Sequence, residues 1–199
     1  MNQVIENIQA RRSIRKYSKK KIPKTIINQI IEAGMFAPSS HNSQPWKFII
    51  IENQEYIKNL SEYIKKWFRC RILFGKIGSV FSGKRKEEIK SAEKRVSSKK
   101  DLFFYDAPLL VMIYAKQNRF SLQDCSLAAS NMMLFARSLG IGSCWIGFAD
   151  MVINKNRKIL NKLGVPIGYK VMAHLIFGYP DKFPENAYPR KESVVKWIK

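Results

Sequence analysis

SLQDCSLAASNMMLFARSLGIGSCWIGF, residues 121–148, decides the fold. Ser121 reads as the cap of a long helix reaching Leu139, and Gly140 supplies its left-handed stop. Leu122, Cys125, Leu127, Ala128, Ala129, Met132, Met133, Leu134, Phe135, Ala136 and Leu139 distribute apolar surface around nearly the whole helix. A helix that is apolar on every side has to be covered on every side. In a chain of 199 residues that makes it a central helix, with part of its surface buried against a second subunit. Ser143 to Phe148 then reads as a short strand.

Upstream, Asn2 to Arg12 reads as a helix with Val4, Ile5 and Ile8 on one side. A second helix starts near Pro23, presents Ile26, Ile27, Ile30 and Ile31 on one face, and ends before Pro38. Residues 37–45 form an irregular loop, and Trp46 to Glu52 a buried strand. Gln54 to Arg69 is helical, GKIGSVFSG (75–83) reads as a mobile excursion, and a solvated helix spans about Arg85 to Lys99. Pro108 to Ala115 is a buried strand, Asn154 caps a helix ending at Gly164, and Tyr169 to Phe177 is the last strand. No repeat or low-complexity linker interrupts the chain. The expectation is one α+β domain over 1–199, with 70–101 a variable excursion and 179–199 a wrapping tail.

Composition suits a folded chain: 46% of residues are hydrophobic and 12% aromatic. No stretch approaches the roughly 18 apolar residues of a membrane helix. The opening MNQVIENIQARRSIRKYSKKK lacks the apolar core of a signal peptide, so the expected location is cytoplasmic, with no membrane association. Cys70, Cys125 and Cys144 are too scattered for a metal site and read as reduced thiols. Thirty-six Lys and Arg against fifteen Asp and Glu give a net charge of +21. Residues 58–100 alone hold fourteen basic and four acidic side chains. Such a field attracts anions, dinucleotides and nucleic acid among them, and equally describes a lysine-rich solvated surface. Zinc spacings and aromatic RNA-binding motifs are missing, which argues against a specific nucleic-acid function.

Four segments carry chemistry. Arg11, Arg12, Ser13 and Arg15 put three guanidiniums and a hydroxyl at a helix end, a compact clamp for phosphate or a merely solvated basic run. Pro38-Ser39-Ser40-His41-Asn42-Ser43-Gln44-Pro45-Trp46 is a stiffened loop of short donors and amides, able to meet a polar heterocycle or simply to connect helix to strand. Glycines in residues 140–147 let backbone approach a flat ligand beside Trp145, and also suit a helix stop before a strand. They form no GxGxxG dinucleotide fingerprint. Arg190 and Lys191 add a second cationic pair near the end.

In this order, ARRSIRKY, APSSHNSQPWKF, DAPLLVMIYA, the 121–147 segment and HLIFGYP before a basic tail resemble the nitroreductase family over nearly the whole chain. Residues 70–101 match it poorly. The resemblance implies an α/β sandwich, its central, mostly antiparallel sheet surrounded by helices, forming a homodimer with FMN at the interface. It further implies phosphate and ribityl contacts from Arg11, Arg12, Ser13 and Arg15, and a flavin-reaching loop of Pro38, Ser39, Ser40, Asn42 and Gln44 lent by the partner subunit. Trp145, Ile146 and Gly147 would line the isoalloxazine, and Arg190 and Lys191 would reach the phosphate.

The implied chemistry runs at flavin N5, without catalytic side chains or metal. NADH or NADPH delivers hydride, and a small planar acceptor such as a nitroarene or quinone leaves with the electrons in a ping-pong cycle. His41 in the loop is a candidate proton donor, whereas His174 reads as a satisfied core residue. Specialised flavin chemistry (dehalogenation or flavin cleavage) and non-catalytic flavin binding are the alternatives within the fold. A basic nucleic-acid or membrane-surface module is the alternative outside it.

Overall fold

The computed structural model describes residues 2–73, 86–185 and 189–198. GKIGSVFSG (75–83) lies outside them. Four strands, β1 (Lys47–Ile51), β2 (Leu109–Lys116), β3 (Gly142–Trp145) and β4 (Tyr169–Gly178), form one sheet in the order β1-β2-β4-β3. Every pairing is antiparallel. β2 is apolar at consecutive positions because both of its faces are covered. Leu109, Val111, Ile113 and Ala115 join one core layer, and Leu110 and Met112 the other. A bulge at the Ile113–Tyr114 step leaves Met172 of β4 without a cross-strand partner.

The first layer is built by α2 (Lys24–Met35) and α5 (Ser121–Ser138). These helices approach at Gly34, where a Cβ would stand 2.8 Å from Met132 Cγ. The second layer holds α3 (Gln54–Leu73), α4 (Lys86–Ser97), the short α6 (Gly147–Asp150) and α7 (Arg157–Lys162). α1 (Gln3–Ala10) docks on α5 through polar groups: Asn7 Nδ2 donates to the Leu134 carbonyl at 2.8 Å and Arg137 Nε to that of Ala10 at 3.3 Å. Its apolar residues Val4, Ile5 and Ile8 stay exposed, as do Leu122 and Leu127 of α5. The all-round apolar helix is therefore covered on its inner side by its own chain and open on another.

Several local expectations are corrected. Ser121 is not the cap of α5; Asn118 Oδ1 accepts from the backbone N–H groups of Phe120 and Ser121, while the Ser121 hydroxyl donates to the Lys116 carbonyl. The strand expected over 143–148 ends at Trp145, and α6 replaces its second half. Asn156, not Asn154, caps α7; Asn154 makes paired hydrogen bonds with the backbone of Val171. β1 lies at the sheet edge, so its apolar run is only partly covered and Ile50 is exposed. α3 continues to Leu73, and the helix expected around 85–99 is α4, with Ala92 and Val96 buried. Tyr179, Pro180 and Phe183 pack partly against the chain, whereas residues 189–198 are exposed.

No helix among the described residues is long and apolar enough to cross a membrane, and no three potential ligand side chains gather there around a metal position.

Candidate functional site

The basic segment leaves α1 in extended form and runs beside β3. Ile14 N–H donates to the Ser143 carbonyl at 2.9 Å, and Ile14 is buried against Gly142. A Cβ on Gly142 would lie 2.7 Å from Ile14 Cγ1, so this close approach requires a glycine. Ser13 and Arg15 flank the buried Ile14 and are exposed, the alternation expected of extended backbone. Tyr17 anchors the segment's end, its hydroxyl donating to the Ile14 carbonyl at 2.6 Å. Burial, with smaller contributions from Cys144 and Tyr105, pushes the Tyr17 phenol well above its ordinary range.

Arg15 opens onto a cavity of about 300 Å³. Cys144, Trp145, Ile146 and Gly147, where β3 turns into α6, form one wall. Phe148 and Met151 continue it, and Arg95, Leu102, Phe103 and Tyr105 complete the lining. Burial raises the Cys144 thiol, opposed by the Arg15 charge, the Ser13 hydroxyl and the Arg11 and Arg95 guanidiniums. Arg15 and Arg95 bring two guanidiniums to the cavity lining, while Arg11 and Ser13 lie on the same extended segment as Arg15. Among the described residues, no Asp or Glu lines the cavity.

Gly147 is instructive. A Cβ built there would meet nothing within 4 Å, and its φ lies outside the left-handed region. The fold therefore gives no internal reason for glycine at this exposed position, in contrast to Gly142.

Beneath the wall, Trp145 Nε1 donates to Asp150 Oδ2 at 2.9 Å, and Asp150 Oδ1 pairs with His174 Nδ1 at 2.5 Å. His174 is fully buried, and its Nε2 has no partner among the described residues. It is a half-satisfied core residue that holds Asp150, rather than a fully satisfied one.

The other expected site residues fall elsewhere. Arg12 turns back on α1, its Nη1 donating to the Gln9 and Arg11 carbonyls. The 38–44 loop is pinned by the Ser40 N–H to Asp124 Oδ1 (3.1 Å), with Asp124 at the start of α5. Ser39 Oγ accepts from the Gln44 N–H at 3.0 Å, and Gln44 Nε2 donates to Asn42 Oδ1 at 2.8 Å. His41, Asn42 and Gln44 hold positive φ (52°, 50° and 41°). This order costs strain, yet Asn42 and Gln44 are exposed, and neither they nor Pro38, Ser39 and Ser40 line the cavity of their own chain. Arg190 and Lys191 are likewise exposed and outside it.

Arg95 and Tyr105 were not expected in the site. Arg95 sits in a charged run that reads as solvent-facing. Tyr105 belongs to a turn built on Asp101, whose Oδ1 accepts from the Ser61 hydroxyl and the Phe103 and Phe104 N–H groups. An Asp opening DLFFYD is a turn signal that marks an ordered loop.

Residues 8–179 match the Nitroreductase family. A nitroreductase from Bacteroides fragilis, solved with bound FMN, is 32% identical; the match covers 100% of both chains at a TM-score of 0.76. An Archaeoglobus fulgidus protein named "Putative NADH dehydrogenase/NAD(P)H nitroreductase" is 31% identical over 180 residues, 90% of this chain and 87% of its own. An iodotyrosine deiodinase of Thermotoga neapolitana is 26% identical over 201 residues, 99% of this chain and 98% of its own.

Proposed function

The chain belongs to the nitroreductase family, and from that premise we propose an FMN-dependent oxidoreductase that passes electrons from NADH or NADPH to a small planar acceptor. The observation that carries this is the wall at the end of β3. Arg15 and Arg95 line it with no carboxylate among the described residues, beside a glycine whose absent side chain would meet no described atom. These residues fit a flat, anionic cofactor. When bound, FMN would supply two-electron redox chemistry between the reduced nicotinamide and the acceptor, with protons from solvent.

The chain's own groups do the rest. Arg11, Ser13 and Arg15 would hold the phosphate and ribityl end, and Arg15 would supply positive charge toward the ring. Trp145, Ile146 and Gly147 form the surface on which the ring lies, with the indole fixed by Asp150. Arg12, Arg190 and Lys191 serve as outer cations. The 38–44 loop, pre-formed yet outside the cavity of its own chain, reaches the cavity of a second copy. Exposed Val4, Ile5, Ile8, Leu122 and Leu127 supply the apolar surface for that homodimer. A cytoplasmic setting, where reduced nicotinamides are available, belongs to the same proposal.

Initial-rate measurements varying donor against p-benzoquinone should give parallel double-reciprocal lines. Intersecting lines would overturn the sequential use of one site.

The deiodinase relative, matched nearly end to end, favours a second reading: reductive replacement of iodine by a proton on an iodotyrosine, with release of iodide. The described lining has guanidiniums for the amino acid's carboxylate but no carboxylate for its ammonium, and so favours the first. Turnover of an iodotyrosine with no turnover of quinones or nitroarenes would reverse that order.

A further inference from the structure

The cavity contains a cation that the basic motif does not supply. Arg95 projects from α4, its guanidinium carbon 4.7 Å from the Phe148 ring centroid and 5.7 Å from that of Tyr105. Its Nη1 donates to the Tyr105 hydroxyl at 2.5 Å and to the Leu102 carbonyl. These neutral acceptors and ring faces fix the group without cancelling its charge. Among the described residues, no carboxylate lies within ion-pair distance of Arg95 or Arg15. A guanidinium held against aromatic faces is partly desolvated, fully charged, and shaped to receive a planar anion through a fork of donors.

Resting on the flavin-site proposal above, we infer that Arg95 selects the electron acceptor. The preferred class is an aromatic compound bearing a carboxylate or similar anionic substituent, its ring beside Tyr105 and Phe148 and its anion on Arg95. The division of labour follows from where the cations stand. Arg11, Ser13 and Arg15 share one extended segment along β3 and suit one ligand end, whereas Arg95 arrives on a separate helix and is oriented by its own partners.

The test uses the FMN-loaded protein without electron donor. Dissociation constants for 4-nitrobenzoate and its uncharged counterpart 4-nitrobenzamide are read from perturbation of the flavin absorbance. One charge-assisted contact predicts about tenfold tighter binding of the anion. In Arg95→Gln that ratio should collapse toward one, and Arg95→Lys should restore part of it. Raising the salt concentration should narrow the ratio in the wild type. Equal constants in the wild type would overturn the inference even if no variant folds. So would a ratio that survives in Arg95→Gln, and so would an unchanged ratio with a shifted flavin potential, which would assign Arg95 to the cofactor. Failure of the underlying reading is seen separately and earlier, as a protein that takes up no FMN.

Discussion

Gly147→Ala separates what the fold needs from what the ligand needs. A methyl group at this position meets no atom of the described residues within 4 Å, and the backbone is not in the left-handed region. Alanine also narrows the unfolded ensemble and is the better helix former at the first residue of α6. The apoprotein should therefore hold its stability within about 1 kcal/mol, on the favourable side. The same methyl group projects into the surface proposed to carry the flavin ring. Forcing a methyl into a close-packed contact costs about 1–3 kcal/mol, a loss of roughly five- to a hundredfold in FMN affinity. Gly142→Ala is the contrasting control: its Cβ would fall 2.7 Å from Ile14 Cγ1, so the apoprotein itself should lose about 1–3 kcal/mol. Urea unfolding of the apoproteins and FMN titration by fluorescence quenching measure both quantities. A destabilised Gly147→Ala apoprotein that binds FMN with unchanged affinity would refute the reasoning.

Two further outcomes rest on buried polar groups. Asp150→Ala strips the acceptor from fully buried His174 Nδ1 and from Trp145 Nε1, and should cost about 3 kcal/mol, against about 1 for Trp145→Phe; equal losses by urea unfolding would show that the His174 contact contributes nothing. The Tyr17 phenol is raised in the folded state, chiefly by burial, above its unfolded value near 10. The folded chain therefore retains a proton that the unfolded chain releases, so stability is full below about pH 10 and falls as pH rises beyond it. Cys125, pushed up to about 12 by burial, adds the same sign from its usual 9.0 upward. Tyr17→Phe should flatten the decline above about pH 10, and an unchanged slope of the urea midpoint against pH would remove Tyr17 from it.

The sequence was most legible where one periodicity had one explanation. The isoleucine face of α2 and the apolar runs of β2 and β4 required burial and found it. Element ends were harder, because competing caps stand close together. Neither Ser121 nor Asn118, three residues before it, is the N-cap of α5, which is Phe120, and Asn156 rather than Asn154 two residues earlier caps α7; only the surrounding packing makes these choices. Ser143 to Phe148 looked continuous because both β3 and the start of α6 are apolar, and the Trp145–Asp150 bond that marks the break is invisible in a pattern of hydrophobicity. β1 looked buried because its side chains are apolar, although its position at the edge is set by strand order.

Arg15 and Trp145 to Gly147 line one cavity because the segment after α1 bridges β3 at Ser13–Ser143, and Trp145 to Gly147 stand where β3 turns into α6. Arg95 and Tyr105 join them only through tertiary packing of α4 and the Asp101 turn, which no local signal ties to this cavity. The irregular loop expected over 37–45 contains a 3-10 turn at Ser40–Asn42, and its pinning by Asp124 belongs to three-dimensional contact alone.

The central claim is a flavin site that a reduced nicotinamide can reach. An absorbance spectrum of the FMN-supplied protein, followed by anaerobic addition of NADH and then NADPH, tests it most directly. Retained flavin bands near ~450 nm that bleach with at least one nucleotide are the expected result. A protein that stays colourless after exposure to FMN, or whose flavin neither nucleotide reduces, would contradict it.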